Sequence, residues 1–475
     1  MIIHISNTRH RGAVTIFAQM DRSRQPKSKP SPKLSLLPLQ RADLKNGLGI
    51  VLVEHHGLPL VQFKLVLQTG SAADPAGKTG LAMFTANMID EGTEYRSALQ
   101  ISEDLGFIGA RFSLSANYDG SFASLLTLKE HLSSALEIFS DVMLRPSFPQ
   151  DDFERVKKDV LTSLLQQKDQ PIVVANNAFA TLLYGSDHPY GRSVNGTEIS
   201  VDALTVEDVK NFYDTYYRPN NATMIVVGDV QLNEVVHELE KTFGGWQKQD
   251  VPSVSVPLPS QPSSTRIFLI DKPNAPQSQV RIGHVGANRK TADYFPLLVM
   301  NTILGGEFTS RINLNLREEK GYTYGARSDF SFRKIAGPFV ASGGFRTDVT
   351  DSSVVELMRE LRRIGTADVT EEELDFAKNS LIQRQPHQFE TPGAIASRLA
   401  EIVLYNLPDD YYSSYVQNVQ KMALKDVNRV GHQYIKPDAA VIVIVGDIEK
   451  TKEGLGKLGY SSVKICNEKG EILSG

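Results

Sequence analysis

The residues best suited to metal chemistry are the histidines, and none of them has the spacing of a chelating site. His237 begins the segment HELEK, in which Lys241 stands where a second imidazole would complete H-E-x-x-H. His55 and His56 are adjacent at the end of a predicted strand, so their side chains point to opposite faces. Cys466 is the only cysteine, which excludes an intrachain disulfide and a thiolate-rich metal site. The sequence therefore predicts no metal on this chain.

Two further residues could act as hydrogen-bond donors. Arg317 and Tyr324 are seven residues apart; a guanidinium offers fixed charged donors and a phenol offers a neutral one. The alternatives are that Arg317 forms an ion pair with Glu318 or Asp329, and that Tyr324 is an ordinary half-buried sheet residue. Spacing alone favours these structural roles.

The elements that must position this pair are a helix and a strand. Helical period runs through Leu314 and Arg317 and stops at Gly321, after which YTYGARS has strand character. In a regular strand Tyr324 would share a face with Tyr322. The preceding pair, Gly305 and Gly306, predicts a turn whose amides can approach a peptide closely, although a helix C-cap explains it as well.

An internal repeat divides the chain. YYRPNNATMIVVGDV at 216–230 aligns without a gap with YIKPDAAVIVIVGDI at 434–448. Four prolines in VPSVSVPLPSQPSST, between the copies, deny both a helix and a central strand. We predict domains at 34–250 and 266–475, joined by a linker at 251–265. Strand-like and helix-period segments occur in both copies, which predicts an α+β fold of two homologous domains, each a mainly antiparallel sheet covered by helices.

The composition narrows the class of protein. With 41% hydrophobic and 22% charged residues the body is typical of a soluble globular protein. A net charge of −4 gives no basic footprint for nucleic acid. Residues 1–33 are basic and polar and are interpreted as a disordered tail, with a leader remnant as the alternative. No stretch is apolar for long enough to predict a transmembrane helix.

The segment GSAADPAGKTGLAMFTANMIDEGT at 70–93 resembles the signature region of the pitrilysin/insulinase family, the inverted-zincin metallopeptidases, whose helix there carries H-x-x-E-H. Met83, Ala86 and Asn87 stand at the positions of its two histidines and its glutamate, and Ser163 stands at that of the third ligand, a glutamate. Such chemistry needs two imidazoles four residues apart beside a carboxylate base. We therefore interpret these residues as ordinary helix packing, with zinc absent from this chain.

The segment NTILGGEFTSRINLNLREEKGYTYGARSDF at 301–330 is similar to the family's C-terminal-domain signature. The resemblance implies that Arg317 and Tyr324 reach across a chamber to a zinc site, hold the substrate and donate hydrogen bonds to the oxyanion that develops on the scissile carbonyl. Gly305, Gly306 and Tyr322 are the accompanying substrate-binding candidates. The pattern extends from about residue 44 to 448.

Small members of the family pair two such chains in a clam-shell chamber, which implies a heterodimer whose partner, a ligand-bearing paralogue, supplies the zinc. A homodimer would hold no zinc site. Unfolded peptides are the implied substrates, bound as an added strand at a sheet edge. Resemblance suggests the periplasm as the location, and the cytoplasm stays open.

Two other functions are alternatives to the complementing subunit. The chain could be an inert scaffold or substrate-recognition subunit, like core proteins of respiratory complexes or the recognition subunit of the mitochondrial processing peptidase. The presence of Arg317 and Tyr324 favours the complementing subunit. A self-sufficient hydrolase is disfavoured because the sequence has no Gly-x-Ser-x-Gly elbow and no Cys/His signature around Cys466.

Overall fold

The computed structural model describes residues 37–460 and 463–473. They belong to one compact unit, Leu34–Gly475. The tail predicted at 1–33 lies outside the described residues. The domain boundaries at 250 and 265 stay a prediction.

The described residues form two six-stranded sheets. The strand order of the first is β1-β2-β6-β3-β5-β4, in which β2 and β6 are parallel and all other neighbours are antiparallel. Its strands are β1 (Leu39–Asp43), β2 (Gly49–Glu54), β3 (Leu60–Leu67), β4 (Arg111–Ala116), β5 (Ser121–Leu128) and β6 (Ala222–Gly228).

The second sheet has the order β12-β7-β11-β8-β10-β9, which repeats five strands of the first sheet and differs in the edge strand β12. Here β7 is parallel to both β11 and β12, and the remaining pairs are antiparallel. Its strands are β7 (Arg266–Asp271), β8 (Gln277–Val285), β9 (Thr323–Phe330), β10 (Pro338–Arg346), β11 (Val441–Gly446) and β12 (Val463–Cys466). The repeated segments of the sequence supply β6 and β11, which lie inside their sheets.

Helices cover both sheets. Those of the first half are α1 (Leu81–Met88), α2 (Ala98–Phe107), α3 (Leu132–Leu144), α4 (Gln150–Gln167), α5 (Pro171–Tyr184), α6 (Glu198–Asp202), α7 (Val206–Tyr216) and α8 (Leu232–Phe243). Those of the second half are α9 (Tyr294–Asn301), α10 (Arg311–Asn313), α11 (Thr350–Thr366), α12 (Glu371–Arg384), α13 (Pro392–Tyr405), α14 (Tyr415–Lys421), α15 (Leu424–Tyr434) and α16 (Ile448–Gly456). Helix α9 continues as a π-helical turn at Thr302–Gly306, and α10 continues as another at Leu314–Glu319.

The two halves exchange one helix each. Helix α5 packs on β8 and β11 of the second sheet, where Ala175 and Phe179 join the cluster of Val441, Val443 and Val445. Helix α13 packs in turn on β3 and β6 of the first sheet. Both begin with a proline at the first turn, which suits the fixed φ of that residue. Because strand side chains alternate between faces, each sheet buries one face under its own helices and the other under the borrowed helix.

These observations confirm the predicted α+β fold with two similar sheets, and add one parallel pair to the first sheet and two to the second. Residues 251–262 contain neither helix nor strand, as the prolines predict. Within the part of the chain that the structure describes, no helix is long and apolar enough to cross a membrane.

Candidate functional site

The positions that would hold zinc lie on α1 of the first half. Met83 and Asn87 are half-buried, and Ala86 is 1% exposed. A thioether, a methyl group and a neutral amide offer neither the imidazoles nor the carboxylate base that a zinc peptidase needs. These residues do not fit the metal, and the helix serves packing instead.

Helix α4, which would bring the third ligand, does lie against α1. The ring of Phe84 on α1 meets that of Phe153 on α4 at a centroid distance of 5.2 Å. Ser163 is exposed on α4, and its hydroxyl accepts a hydrogen bond of 3.3 Å from Gln167. The framework of a two-helix metal site is thus present without its ligands.

The isolated histidines gain no metal role from the fold. His56 has a carboxylate at each ring nitrogen, Asp229 at 2.6 Å and Glu54 at 3.2 Å, so both nitrogens are engaged. His237 is exposed on α8. Over residues 37–460 and 463–473, no three His, Cys, Asp or Glu side chains are grouped so that they could hold a metal ion. This is consistent with a chain that carries no zinc.

The second half presents a different site, a cleft of about 460 Å³ beside strand β9. Arg317, Tyr324, Gly305 and Gly306 all line it. Four residues selected from the segment at 301–330 therefore line one cleft. Their functional roles stay predictions.

Arg317 lies on the π-helical turn that follows α10. Its guanidinium carbon is 4.3 Å from the ring centroid of Phe308, and its Nε is 3.5 Å from Glu318. The side chains of Arg317 and Glu318 are 35% and 49% exposed, so this ion pair is worth at most about 1 kcal/mol and leaves other donors of the guanidinium available. Asp329, the other predicted partner, is not paired with Arg317. The helix ends where predicted, at Gly321, whose φ of +64° is the left-handed conformation that glycine adopts without cost.

Tyr324 is 88% exposed, which contradicts the alternative of a half-buried sheet residue. An irregularity between Gly343 and Phe345 shifts the register of β9 against β10 at this point. Such a bulge re-aims side chains along a strand. Tyr322 lies just before β9 and packs against the core, so the prediction that it shares a face with Tyr324 is wrong.

The glycine pair has a structural reason. A Cβ built on Gly305 would lie 2.3 Å from the backbone nitrogen of Ser328, a separation that only a glycine permits. The π-helical turn at Thr302–Gly306 therefore packs directly against β9. Gly305 and Gly306 form the π-helical end of α9 and not the predicted turn. Gly305 packs against Ser328 of β9, and both glycines also line the cleft.

Two asparagines that sequence reasoning missed seal the outer edge of β9. The side chain of Asn301 donates to the carbonyl of Ser328 at 3.0 Å, and that of Asn313 accepts from the amide of Ala326 at 3.1 Å. Both side chains are more than nine-tenths buried. The only sequence signal was a polar residue in an otherwise apolar helical run, which does not reveal its partner.

Sequence profiles of two related domains match the chain. Residues 50–197 match the domain described as insulinase (peptidase family M16), and residues 203–381 match the one described as peptidase M16 inactive domain. A relative from Helicobacter pylori, named non-peptidase homolog YmxG, is 24% identical over 85% of this chain and 93% of its own length. Another from Bacillus subtilis, named uncharacterized zinc protease YmxG, is 23% identical over 86% of this chain and 98% of its own length.

Solved structures of similar proteins have the same fold as this chain. The peptidase M16 inactive domain from Pseudomonas fluorescens superposes with a TM-score of 0.81 at 26% identity, covering 86% of this chain and 98% of that one. A protease from Helicobacter pylori follows with a TM-score of 0.79 at 21% identity, covering 86% and 100%. The chain belongs to the insulinase family, peptidase family M16. The assignment of Met83, Ala86, Asn87 and Ser163 to the family's metal-ligand positions stays a prediction.

Proposed function

We propose that this chain is the non-zinc-binding subunit of a heterodimeric zinc metallopeptidase. A ligand-bearing paralogue supplies the zinc and the base, and this chain supplies Arg317 and Tyr324. The observation that carries the proposal is their meeting in one cleft, while the metal-ligand positions of α1 and α4 hold no ligands.

The cleft suits hydrogen bonding to a substrate by side chains. Tyr324 stands almost free of the protein, so its hydroxyl is available to a group outside this chain. Stacking on Phe308 holds the Arg317 guanidinium in place and leaves its edge open to a carbonyl or an oxyanion. Two such hydrogen-bond donors can stabilise an oxyanion.

Strand addition of a peptide at this cleft is unfavourable, because Asn301 and Asn313 already occupy backbone groups at the edge of β9. The first sheet ends in β4, where Arg111, Ser113 and Ser115 are exposed. We assign the backbone recognition of unfolded peptides to an exposed edge strand such as β4. The cleft then makes the contacts near the scissile bond. Cleavage should then be broad in sequence preference. We place the enzyme in the periplasm on the family resemblance alone.

The test is a complementation assay with zinc analysis. The chain alone should show neither zinc nor peptidase activity, and a mixture with a H-x-x-E-H-bearing paralogue should show both. Tyr324→Phe should lower kcat of the mixture by roughly 100- to 1,000-fold, as the loss of one oxyanion donor does. Tyr95→Phe, at another exposed tyrosine, is the matched control and should leave kcat unchanged.

A second candidate is an inert scaffold or recognition subunit, favoured by the name non-peptidase homolog that the Helicobacter pylori relative carries. Full activity of the mixture with Tyr324→Phe and Arg317→Ala would support the scaffold. Zinc-dependent activity of this chain alone would refute both.

A further inference from the structure

A shallow trough on the second sheet continues the cleft of Arg317 and Tyr324. Ser342 on β10 pairs with Arg281 on β8 and with Arg327 on β9. Directly paired residues point to the same face of a sheet, so the two arginines stand on either side of the serine. Adjacent strands are about 4.8 Å apart, which places the two arginine backbones about 10 Å from each other. Their side chains can therefore converge on one small group.

Ser342 and the side chain of Gln279 form the floor between them. Gly344, next to Ser342 on the same face, leaves room for that glutamine, since a Cβ there would lie 2.6 Å from the side-chain nitrogen Nε2 of Gln279. Ile172, at the start of α5, and Arg317 complete the lining of the same 460 Å³ cleft. The trough is open to a ligand from one side and closed by the sheet below.

Arg281 is 6% exposed and has no carboxylate within ion-pair distance among the described residues. Its Nε donates to the side-chain oxygen of Asn176 at 2.7 Å, and its Nη1 donates to the carbonyl of Val280 at 2.9 Å. Burial, and then the charge of Arg327, lower the pKa of Arg281 to about 10. A buried arginine is ordinarily paired with an acid, because an uncompensated charge in the interior is costly.

The acids nearby do not neutralise this group. Glu307 lines the cleft, but its carboxylate is engaged by Arg384 and Ser380. Asp329 shares the face of Arg327; burial raises its pKa and the charge of Arg327 lowers it, so one carboxylate stands beside two guanidiniums. The trough thus carries an excess of positive charge.

The equivalent row of residues in the first sheet carries fewer positive charges than the trough. The strand pairing matches Lys64, Ser124 and Ser113 to Arg281, Ser342 and Arg327. Lys64 approaches Ser397 of the borrowed helix α13, as Arg281 approaches Asn176 of α5. The first row has one cation, which contacts a hydroxyl, whereas the second row has two arginines, one on each side of Ser342.

We propose that this trough binds a carboxylate of the peptide substrate, held by Arg281 and Arg327 beside the Arg317–Tyr324 cleft. Guanidinium groups bind carboxylates through paired, charge-assisted hydrogen bonds, which makes them the natural receptor for such a group. This assignment rests on the proposed peptidase-subunit function, whose substrate class it narrows to peptides with an anionic group near the scissile bond. The carboxylate belongs either to the peptide's C-terminus or to an acidic side chain.

Peptide binding to the full chain alone tests the proposal without a partner. The probes are three forms of one N-terminally fluorescent ten-residue peptide of Ala, Gly and Ser: a free acid, a C-terminal amide, and an amide with one internal glutamate. Fluorescence anisotropy should show the free acid, the glutamate peptide or both binding roughly tenfold or more tightly than the uncharged amide. The form that binds identifies the source of the carboxylate.

Arg281→Gln and Arg327→Gln should each abolish most of that preference, and Lys64→Gln at the equivalent position of the first sheet should retain it. Arg327 is exposed, so its variant keeps the test valid if replacing the buried Arg281 impairs folding. Equal affinity for all three peptides, no binding of any at millimolar concentration, or unchanged preference in Arg327→Gln would overturn the proposal. None of these outcomes alters the Tyr324→Phe result in the complemented enzyme, so failure of the trough and failure of the proposed function are distinguishable.

Discussion

The two halves of the molecule share a plan and differ where chemistry would occur. Both have six strands, of which five follow the same spatial order, a central strand from the repeated segment, and an outer face covered by a helix from the other half. In the first half the helix at the metal-ligand positions is a regular α-helix. In the second half two π-helical turns and a shifted strand register surround Arg317 and Tyr324. Such irregularities often mark functional sites, so the comparison points to the second half as the one still shaped for contact with a substrate.

The largest expected effect concerns the exchanged helices, which make the halves interdependent. Phe179→Ala on α5 should lower the free energy of unfolding by about 3–5 kcal/mol, and Leu399→Ala on α13 by about 2–5 kcal/mol. Each removes a buried side chain of an exchanged helix from a core cluster that holds residues of both halves. Urea denaturation followed by circular dichroism measures both.

The control for this pair is Ile172→Ala, an exposed position on α5, which should change stability by less than about 0.5 kcal/mol. Both core variants should unfold in one transition. Two separate transitions, or a loss below about 1 kcal/mol in either variant, would show that the halves are independent.

A second prediction uses His284, a buried histidine whose equivalent position in the first sheet is held by Leu67. Burial lowers the pKa of His284 to about 4, and its Nε2 accepts a hydrogen bond from the amide of Lys436, which a proton there would break. The unfolded chain binds this proton near pH 6.5, so His284 favours folding above that pH, and its contribution is lost as the pH falls from about 6.5 to about 4. The loss is on the order of 3 kcal/mol.

His284→Leu copies the residue at the equivalent position of the first sheet, Leu67. Urea midpoints at pH 7 and pH 4.5 should therefore fall less with acidification in the variant than in the wild type. The quantity to compare is the fall in urea midpoint between pH 7 and pH 4.5 in each protein, because carboxylates titrate in both. An equal fall in midpoint in the wild type and in His284→Leu would contradict the assignment of a neutral buried imidazole to His284.

The smallest effect is expected at the sealed edge of β9. Asn313→Ala leaves the amide of Ala326 and the carbonyl of Phe308 without their partner, which should cost about 1–3 kcal/mol. Hydrogen exchange at the Ala326 amide should become faster. Asn211→Ala, an exposed position on α7, is the control. Unchanged exchange at residue 326 would mean that the edge is protected by something other than Asn313.

Sequence reasoning reached the architecture because the repeat, the proline-rich linker and the strand alternation are local signals. It also selected Arg317 and Tyr324, although through resemblance and not through spacing. It failed for Tyr322, because a register shift between strands leaves no mark on either strand alone. Arg281 was passed over because its meaning depends on which residues lie across the sheet from it.

The helix exchange has a consequence for the segment at 251–265. Val254 and Leu258 are exposed there, and the segment has neither helix nor strand, so a protease can reach it. Cutting it would not release two separate halves, since α5 and α13 stay buried in each other's sheets. The nicked protein should behave as a single non-covalent pair, and the covalent connection should matter more for the rate of assembly than for keeping the finished molecule together.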